Sequence, residues 1–561
     1  MANLSVPGLH IARQLNEAVA LHRQGQLDEA EKIYNRVLKA QRDNFDALHL
    51  LGMLNHQRGK AGEARRLIGA ALKINPRSPE ALSSHAMVLH ALRRDAEALA
   101  DLDKALSIAP GHLEVLNNRG SLLLALKRPA EALASFEQVL TREPRFAQAR
   151  ANRGNTLVEL GRAAEALADY DAALALQPGN PSVIYNRGNA LRALDRETEA
   201  VAAYDAAVAI APNYVNAWYN RGLALQALNR HADALASYDK VLALEPNHGD
   251  AQFSAASAHL TLGDYPAGFA QYEWRWKRSG MTARPRFRQP LWLGESSPAN
   301  RTILLHAEQG LGDTIQFARY ALLIARMGAK VLLEVQPALK DLLSGLDGVA
   351  GVFGQSEALP AFDLHCPLAS LPLACKTELS TVPAEIPYLR ADATRIDKWR
   401  PRLEATPRPR VALAWSGRAS HVNDRNRSIA LAELAPLLAT PGVQFVAIQR
   451  ELRPADATEL ARHDRVLNLG DDLADFSDTA AVLSLADLVV SVDTAVAHLA
   501  AAMGRPTIVL LPFQPDWRWT LDRQSPWYPA AQLFRQARPG DWNAVISRLT
   551  EKLASQGVAV T

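Results

Sequence analysis

The chain has 561 residues, enough for roughly three or four domain-sized units. Its 48% hydrophobic and 22% charged content is that of a folded, water-soluble protein. A net charge of +3 is too small for a general polyanion binder and excludes a charge-driven nucleic-acid partner. Cys366 and Cys375 lack metal-ligand spacing beside histidines, which argues against a disulfide framework and fits a reducing compartment. Met1 to Gln14 shows no basic segment followed by an apolar run, and no stretch of about 18 uncharged apolar residues occurs, so the expectation is a cytoplasmic protein without a transmembrane segment.

From the N-terminus the chain repeats every 34 residues. Gly52, Gly120, Gly154, Gly188 and Gly222 share one phase, with Ala18, Ala86 and Ala256 on the same rung. Ala30, Ala64, Ala98, Ala132, Ala166, Ala200 and Ala234 hold a second phase, and Pro76, Pro110, Pro144, Pro178, Pro212 and Pro246 a third. The period is that of a helix–turn–helix solenoid. Small residues on both helices let them approach closely, and proline after the second helix stops it. The turn between the helices carries Gly25, Gly59, Gly161 and Gly263, with Asp195 and Asn229 at equivalent places and Arg93 and Lys127 less comfortably there. Units begin at Ile11, Phe45, Pro79, Leu113, Ala147, Pro181, Val215 and Gly249.

The pattern resembles tetratricopeptide repeats, seven full units and a partial eighth within residues 1–278. Asn118, Asn152, Asn186 and Asn220 lie two residues before the glycine in four successive units. That position resembles the asparagine row of protein O-GlcNAc transferase, whose amides contact the backbone of a bound polypeptide. An amide offers both donors and acceptors, so the row is a candidate acceptor-binding surface. The plainer reading is a solvated or intrahelical Asn.

Residues 279–300 form a junction. Tyr272-Glu273-Trp274-Arg275-Trp276-Lys277-Arg278 and Arg284-Pro285-Arg286-Phe287 read as interdomain packing, with Trp274, Trp276 and Trp292 as anchors. Only Trp218 of the ten tryptophans precedes residue 270, so the architecture changes here.

Beyond it the rhythm is strand–helix–strand. Strands are expected at Thr302–His306 and Lys330–Val335 with a helix Asp313–Met327 between them, then a linker helix near Arg395–Leu403 and a proline joint at Pro407 and Pro409. A second series follows, with strands at Val411–Trp415, Gln444–Ile448, Leu488–Val492 and Thr507–Leu511. Two consecutive doubly wound units, 301–405 and 406–561, imply a cleft between them. The first loop holds Gly310-Leu311-Gly312. A dinucleotide site there is disfavoured by bulky Ile315 at the third glycine position and by Asp313, which would repel a pyrophosphate. No Walker A lysine is present. Asp493-Thr494 ends a strand at a helix start, a place suited to sugar hydroxyls or phosphate oxygens and equally to a helix cap.

The run Ser491-Val492-Asp493-Thr494-Ala495-Val496-Ala497-His498 resembles the C-terminal signature of the ADP-heptose:lipopolysaccharide heptosyltransferase-like family, inverting enzymes of the GT-B fold. Gly312-Asp313 is similar to that family's first loop, whose aspartate is the proposed base, and Arg427 falls near a family lysine that contacts the leaving phosphate. Ala495, Pro512 and Arg427 depart from the family's residues and leave the donor sugar open.

The combined layout resembles bacterial tetratricopeptide-repeat glycosyltransferases, including some that modify flagellin. It implies an α-solenoid followed by an α/β GT-B pair of Rossmann-like domains. The activity implied is inverting transfer from a nucleotide-sugar to a polypeptide, flagellin or another surface protein. Asp313 is the base, with Glu308 in reserve. Ser416, Gly417, Arg425, Arg427, Gln449, Asp493, Thr494 and His498 face the donor. No Asp-x-Asp follows a strand, since Asp101 and Asp103 lie in a repeat helix and Asp471-Asp472 lacks the spacing, so no metal and no cofactor is expected. Two alternatives stay open: a glycan or lipid-linked acceptor, and a non-catalytic repeat scaffold with a degenerate transferase half.

Overall fold

A computed structural model describes residues 6–278, 280, 287–421 and 423–556; Arg284, Pro285 and Arg286 of the junction lie outside the described residues. The chain divides into two compact units, residues 1–220 and 221–561.

The first unit is a run of antiparallel helix pairs. Helices begin at Phe45, Pro79, Leu113, Ala147 and Pro181, as the period predicts; the first starts earlier, at Val6 rather than Ile11. The turns share one left-handed backbone. Gly59 and Gly161 both take φ +74°, and Arg93 and Lys127 adopt φ 60° and 58° in spite of their side chains. The residue before each proline is extended, as Ala109 at φ −133°, and it ends the second helix. The glycine rung is a close-approach rung. A Cβ at Gly154 would meet the Tyr170 ring at 2.7 Å, and one at Gly188 the Tyr204 ring at 2.6 Å. Tyr170 and Tyr204 are fully buried between the paired helices.

The second unit begins with helices His231–Leu244, Gly249–Thr261 and Tyr265–Tyr272 and a 3-10 turn at Glu273–Lys277. Ten strands follow among the described residues: β1 (Thr302–His306), β2 (Lys330–Val335), β3 (Val349–Gly354), β4 (Leu364–Pro367), β5 (Arg410–Ala414), β6 (Gln444–Ala447), β7 (Leu467–Asn468), β8 (Leu488–Val492), β9 (Thr507–Leu511) and β10 (Gln532–Arg535). They form two parallel sheets, one in the order β3-β2-β1-β4 and one in the order β10-β9-β8-β5-β6-β7. Period-two alternation buries both faces of the central strands. Val411 and Leu413 enter one core with Leu549, while Ala412 and Ala414 enter another.

That second core is continuous from the last repeats through both sheets, joining Leu260, Tyr265, Phe269 and Tyr272 to Ile303, Leu333 and Val489. Tyr265 stacks on Trp527 at 5.9 Å and accepts a hydrogen bond from its Nε1 at 3.1 Å. Phe269 meets Trp517 edge-on at 5.7 Å. In the junction Trp292 is buried as expected, but Trp274 and Trp276 are only half-buried; the buried residues of that run are Tyr272 and Arg275. The Arg275 guanidinium reaches Glu273 and Ser370 as well as Glu308.

The single helix expected at Asp313–Met327 is two helices, Leu311–Phe317 and Tyr320–Arg326. The Gln316 carbonyl, which a continuous helix would offer to the fourth residue on, accepts instead from Arg319 Nε at 2.9 Å. Arg319 then donates to the carbonyls of Pro383 and Trp527 and lies against the Tyr388 and Tyr528 rings at 4.7 and 4.6 Å. The break thus places a buried cation where three segments meet.

Gly188→Ala should lower the unfolding free energy by about 1–3 kcal/mol through overpacking against Tyr204. Gly69→Ala, in a helix where nothing lies within 4 Å of the new methyl, should raise it by about 0.5–1 kcal/mol. Urea denaturation distinguishes the two signs.

Candidate active site

The loop after β1 runs from Ala307 to Gly310 and feeds the helix Leu311–Phe317. Asp313, third in that helix, turns back so that its Oδ2 accepts the Gly310 N–H at 2.9 Å. This half of a capping box, with glycine offering no side chain for the return bond, fixes the carboxylate at the helix start. Gln336 braces the loop, donating to the Gln309 carbonyl at 2.7 Å and accepting from Thr314 Oγ1 at 3.0 Å.

Gly312 is where the loop meets the second sheet. A Cβ there would lie 2.9 Å from His498 Cδ2 and 3.6 Å from the Ala495 Cα. Its glycine is required by the approach of the helix Ala495–Ala502. Asp313 is thereby brought beside the end of β8, where Asp493 and Thr494 lead into that helix. Asp493 Oδ1 accepts from Trp519 Nε1 at 2.8 Å and lies 3.8 Å from His498 Nε2. His498 Nδ1 pairs with the Tyr528 hydroxyl at 3.2 Å, and its ring stacks on Trp519 at 5.2 Å. Burial, with Arg518, Arg319 and Arg427 nearby, holds the His498 imidazole well below its ordinary value, so it is neutral at pH 7. Burial, reinforced by the negative charge of Asp516, pushes the Asp493 carboxyl up to about 6.

Arg427 donates from Nη1 to the Asp493 carbonyl at 3.0 Å, which sets its guanidinium against the same strand end. Gly417 makes room for it, since a Cβ there would meet Arg427 Nη2 at 2.5 Å. Arg425 is exposed on the same short helix, Asp424–Arg427. Ser416 is 4% exposed, and its hydroxyl is buried without a hydrogen-bond partner among the described residues. Gln449 is engaged by backbone: its Oε1 accepts from Trp415 N and Ser416 N at 3.2 and 3.1 Å. It therefore holds the end of β5 in shape. Thr494 Oγ1 meets Ser491 Oγ at 3.1 Å.

Glu308 sits in the same loop but in a different environment. Its carboxyl is buried, accepting from Arg275 Nη2 at 3.0 Å and from the Ala369 N–H at 3.3 Å. Burial pushes it up to about 7, against the pull of Arg275. The Asn row occupies half-buried positions in the repeats, with its amide N–H groups committed to the preceding unit. Nδ2 of Asn118 donates to Ser83 Oγ, that of Asn152 to Asn117 Oδ1, that of Asn186 to Asn155 Oδ1, and that of Asn220 to Tyr185 OH and Asn189 Oδ1.

Two further residues of this site carry only a weak local sequence signal. Arg518, 6% exposed, pairs through Nη2 with Asp313 Oδ1 and through Nη1 with Asp516 Oδ1 at 2.8 Å. Burial opposes its charge, but Asp516 and Asp313 outweigh that and hold it above its ordinary range. Trp519, three places from Asp516, supplies the donor to Asp493. Both come from the loop after β9, and Arg518 lies 205 residues from its partner Asp313. Only the Asp-Trp-Arg-Trp alternation of charge and aromatic side chains marks them in the sequence.

Residues 432–539 match the model of glycosyltransferase family 9 (heptosyltransferase), an interval that includes Asp493, His498, Arg518 and Trp519. Tetratricopeptide-repeat models match residues 21–88, 77–142, 117–181, 152–215 and 215–248. The chain joins tetratricopeptide repeats to a heptosyltransferase-like glycosyltransferase domain. It is 28% identical over 324 residues to Protein FlbA of Caulobacter vibrioides, covering 53% of this chain and 54% of that protein, so it spans about half the length of that relative. A tetratricopeptide repeat protein from Parabacteroides merdae is 19% identical, covering 44% of this chain and 98% of its own, with a TM-score of 0.36. Pseudomonas aeruginosa PilF is 24% identical over 36% of this chain and 92% of its own, with a TM-score of 0.33. At these scores neither structure carries weight for function.

Arg275→Met strands the buried carboxyls of Glu273 and Glu308 and should cost about 3–5 kcal/mol in urea denaturation. The Asp493 carboxyl is ionised only above about pH 6. Asp516→Asn removes a neighbouring negative charge and should move that titration to lower pH, whereas Trp519→Phe removes the donor that favours the ionised form and should move it higher. Carboxyl-carbon NMR of labelled aspartate, referenced to Asp493→Asn, reads both shifts; the opposite signs would refute the assignment.

Proposed function

We propose that the protein is an inverting, metal-independent glycosyltransferase of GT-B type, moving a sugar from a nucleotide-sugar to a polypeptide held by the repeats. The observation that carries this reading is the Gly312–His498 approach, which sets the Asp313 carboxylate beside Asp493, Thr494 and Arg427.

In the proposed reaction the acceptor hydroxyl gives its proton to Asp313 as its oxygen attacks the anomeric carbon. The bond from that carbon to the diphosphate breaks, and its electron pair leaves on the phosphate oxygen. Asp313 contributes a preset geometry: Gly310 N–H holds one oxygen and Arg518 the other, so the carboxylate does not have to be oriented during reaction. Arg518 is on this reading a positioning residue. Arg427 and the exposed Arg425 offset the charge that develops on the leaving diphosphate, in the place a metal would otherwise take. The unpartnered Ser416 hydroxyl and the backbone of Gly417 contact the donor, while Gln449 shapes that strand end. Asp493 above its titration accepts from sugar hydroxyls, Thr494 supplies a hydroxyl at the helix start, and neutral His498 forms the apolar floor with Trp519. Glu308, paired with Arg275, ties the loop to the last repeat.

The acceptor on this reading is a cytoplasmic polypeptide, flagellin or another surface protein before export. The tetratricopeptide repeats support a protein partner. Each Asn Nδ2 bonds the preceding repeat and Asn152 Oδ1 accepts from Gln148 Nε2 at 3.1 Å, so what the row keeps for a peptide backbone is the carbonyl oxygens of Asn118, Asn186 and Asn220 and the second N–H of Asn118 and Asn186. That same commitment is what favours a second reading, a glycan or lipid-linked acceptor with the repeats as a docking arm.

Asp313→Asn should lower sugar transfer by about 10²–10⁴-fold while partner capture by the repeats is unchanged, read by intact-mass analysis of the co-purified partner. Turnover retained near the parent rate removes Asp313 as base. A glycosyl-sized mass increment on a bound protein supports the polypeptide acceptor, and its appearance only on a glycan supports the second reading.

A further inference from the structure

On the edge of the six-stranded sheet, a cavity of about 850 Å³ lies along β10 and the turn that leads into β9. Arg505, Arg523, Arg535 and Arg548 line it, with Asp522 as the single carboxylate. None of the four guanidiniums lies within ion-pairing distance of a carboxylate among the described residues, whereas Arg94, Arg128, Arg162, Arg196, Arg275, Arg395 and Arg518 all do. What three of them find instead is backbone. Arg505 Nη2 donates to the Ala486 carbonyl at 2.6 Å, and Arg548 Nη2 to the Arg535 carbonyl at 2.7 Å. Arg535 Nη2 is shared between the carbonyls of Trp519 and Asp522 at 3.3 and 3.2 Å.

A buried guanidinium without a counter-charge is costly, because carbonyl dipoles only partly replace the water it has lost. Arg535 shows that cost directly. Its Nη1 is buried with no hydrogen-bond partner, as is Arg505 Nε. Burial, only partly opposed by Asp522, brings Arg535 down to about 10. An open cavity rimmed by several arginine forks, with a surplus of positive charge, has the chemistry that selects phosphoryl oxygens, since each fork can give two parallel N–H donors. Its volume is in the range of small-molecule sites.

We propose that this cavity is a second ligand site, taking a small multiply charged phosphorylated molecule that supplies the missing counter-charge to Arg505, Arg523, Arg535 and Arg548. It goes beyond the transferase reading and does not depend on it. It lies behind the loop that serves the candidate active site. Arg535 holds the Trp519 carbonyl, while the indole of the same residue donates to Asp493 and its neighbour Arg518 grips Asp313. A bound anion fixes Arg535 and so braces that loop from its rear.

Titration calorimetry of the full chain with inorganic pyrophosphate, in the presence and absence of added salt, tests the site. Arg427→Gln removes one of the two arginines that the candidate active site offers a diphosphate, and the cavity is read by its own variants within that background. Within that background, Arg535→Gln should raise Kd at least tenfold, the worth of about one charge-assisted hydrogen bond. Arg523→Gln with Arg548→Gln, at two exposed side chains, should do the same with little change in the unfolding midpoint. Loss of all pyrophosphate binding in Arg427→Gln alone, Kd values within twofold of the parent in both cavity variants, or no binding by the parent chain overturns the proposal. If the transferase reading fails instead, Arg427→Gln leaves binding unchanged while the cavity variants still weaken it.

Discussion

The missing side chain at Gly312 is the constraint on which the candidate site depends. Two parallel sheets each deliver a loop to the same place, and the loops can meet only because the first has no Cβ where the second presents an imidazole. The guanidinium that joins Asp313 to Asp516 spans that approach and would be lost if the loops stood a few ångströms further apart, whereas the cap that orients Asp313 and the indole that bonds Asp493 are local to either side. A glycine in a Gly-x-Gly loop is easily read as a phosphate-binding glycine. Here its use is packing, with a protein side chain occupying the space.

The repeats were the most legible part of the chain, and the reason is physical. Each 34-residue unit solves the same packing problem, so its solution recurs at fixed positions. Helix starts fell on the predicted residues from Phe45 to Gly249. Central strands were legible for a similar reason: β8 and β9 are buried on both faces and read as unbroken apolar runs. β3, β7 and β10 were not: all three are partly exposed, β7 and β10 are short, and Gly351 interrupts β3. The break at Arg319 was invisible because its cause is an arginine reaching segments 64 and 208 residues away. Asp493 and Thr494 could be named from a strand end at a helix start, and Asp313, His498 and Arg427 from the resemblance to the heptosyltransferase-like signature; they lie on neighbouring elements. Arg518 could not, because what makes it part of the site is its partner.

Three buried arginines divide the labour of holding the second unit in register. Arg275 is neutralised by two carboxyls, Arg319 by carbonyls and aromatic faces, and Arg518 by two aspartates. Each uses a planar fork to bind several segments at once, which an ammonium could not do with the same geometry. Buried ion pairs add little net stability but penalise every alternative arrangement, because a misplaced loop leaves a charge unpaired. The precision of the site therefore rests as much on what misfolded loops would lose as on what the native contacts gain.

The contact boundary after Asn220 falls inside the helix Val215–Ala227, well upstream of the place where the repeat pattern ends. The last repeat helices contribute Tyr265, Phe269 and Tyr272 to the same apolar core as the sheets. The periodic sequence and the folding unit consequently end at different residues. Recombination that exchanged one repeat arm for another at residue 278 would tear open a core, whereas exchange upstream of Arg221 would respect it. For a lineage that diversifies by swapping its arm, the last repeats are inherited with the transferase domain, and only the helix pairs before them are free to vary as a cassette.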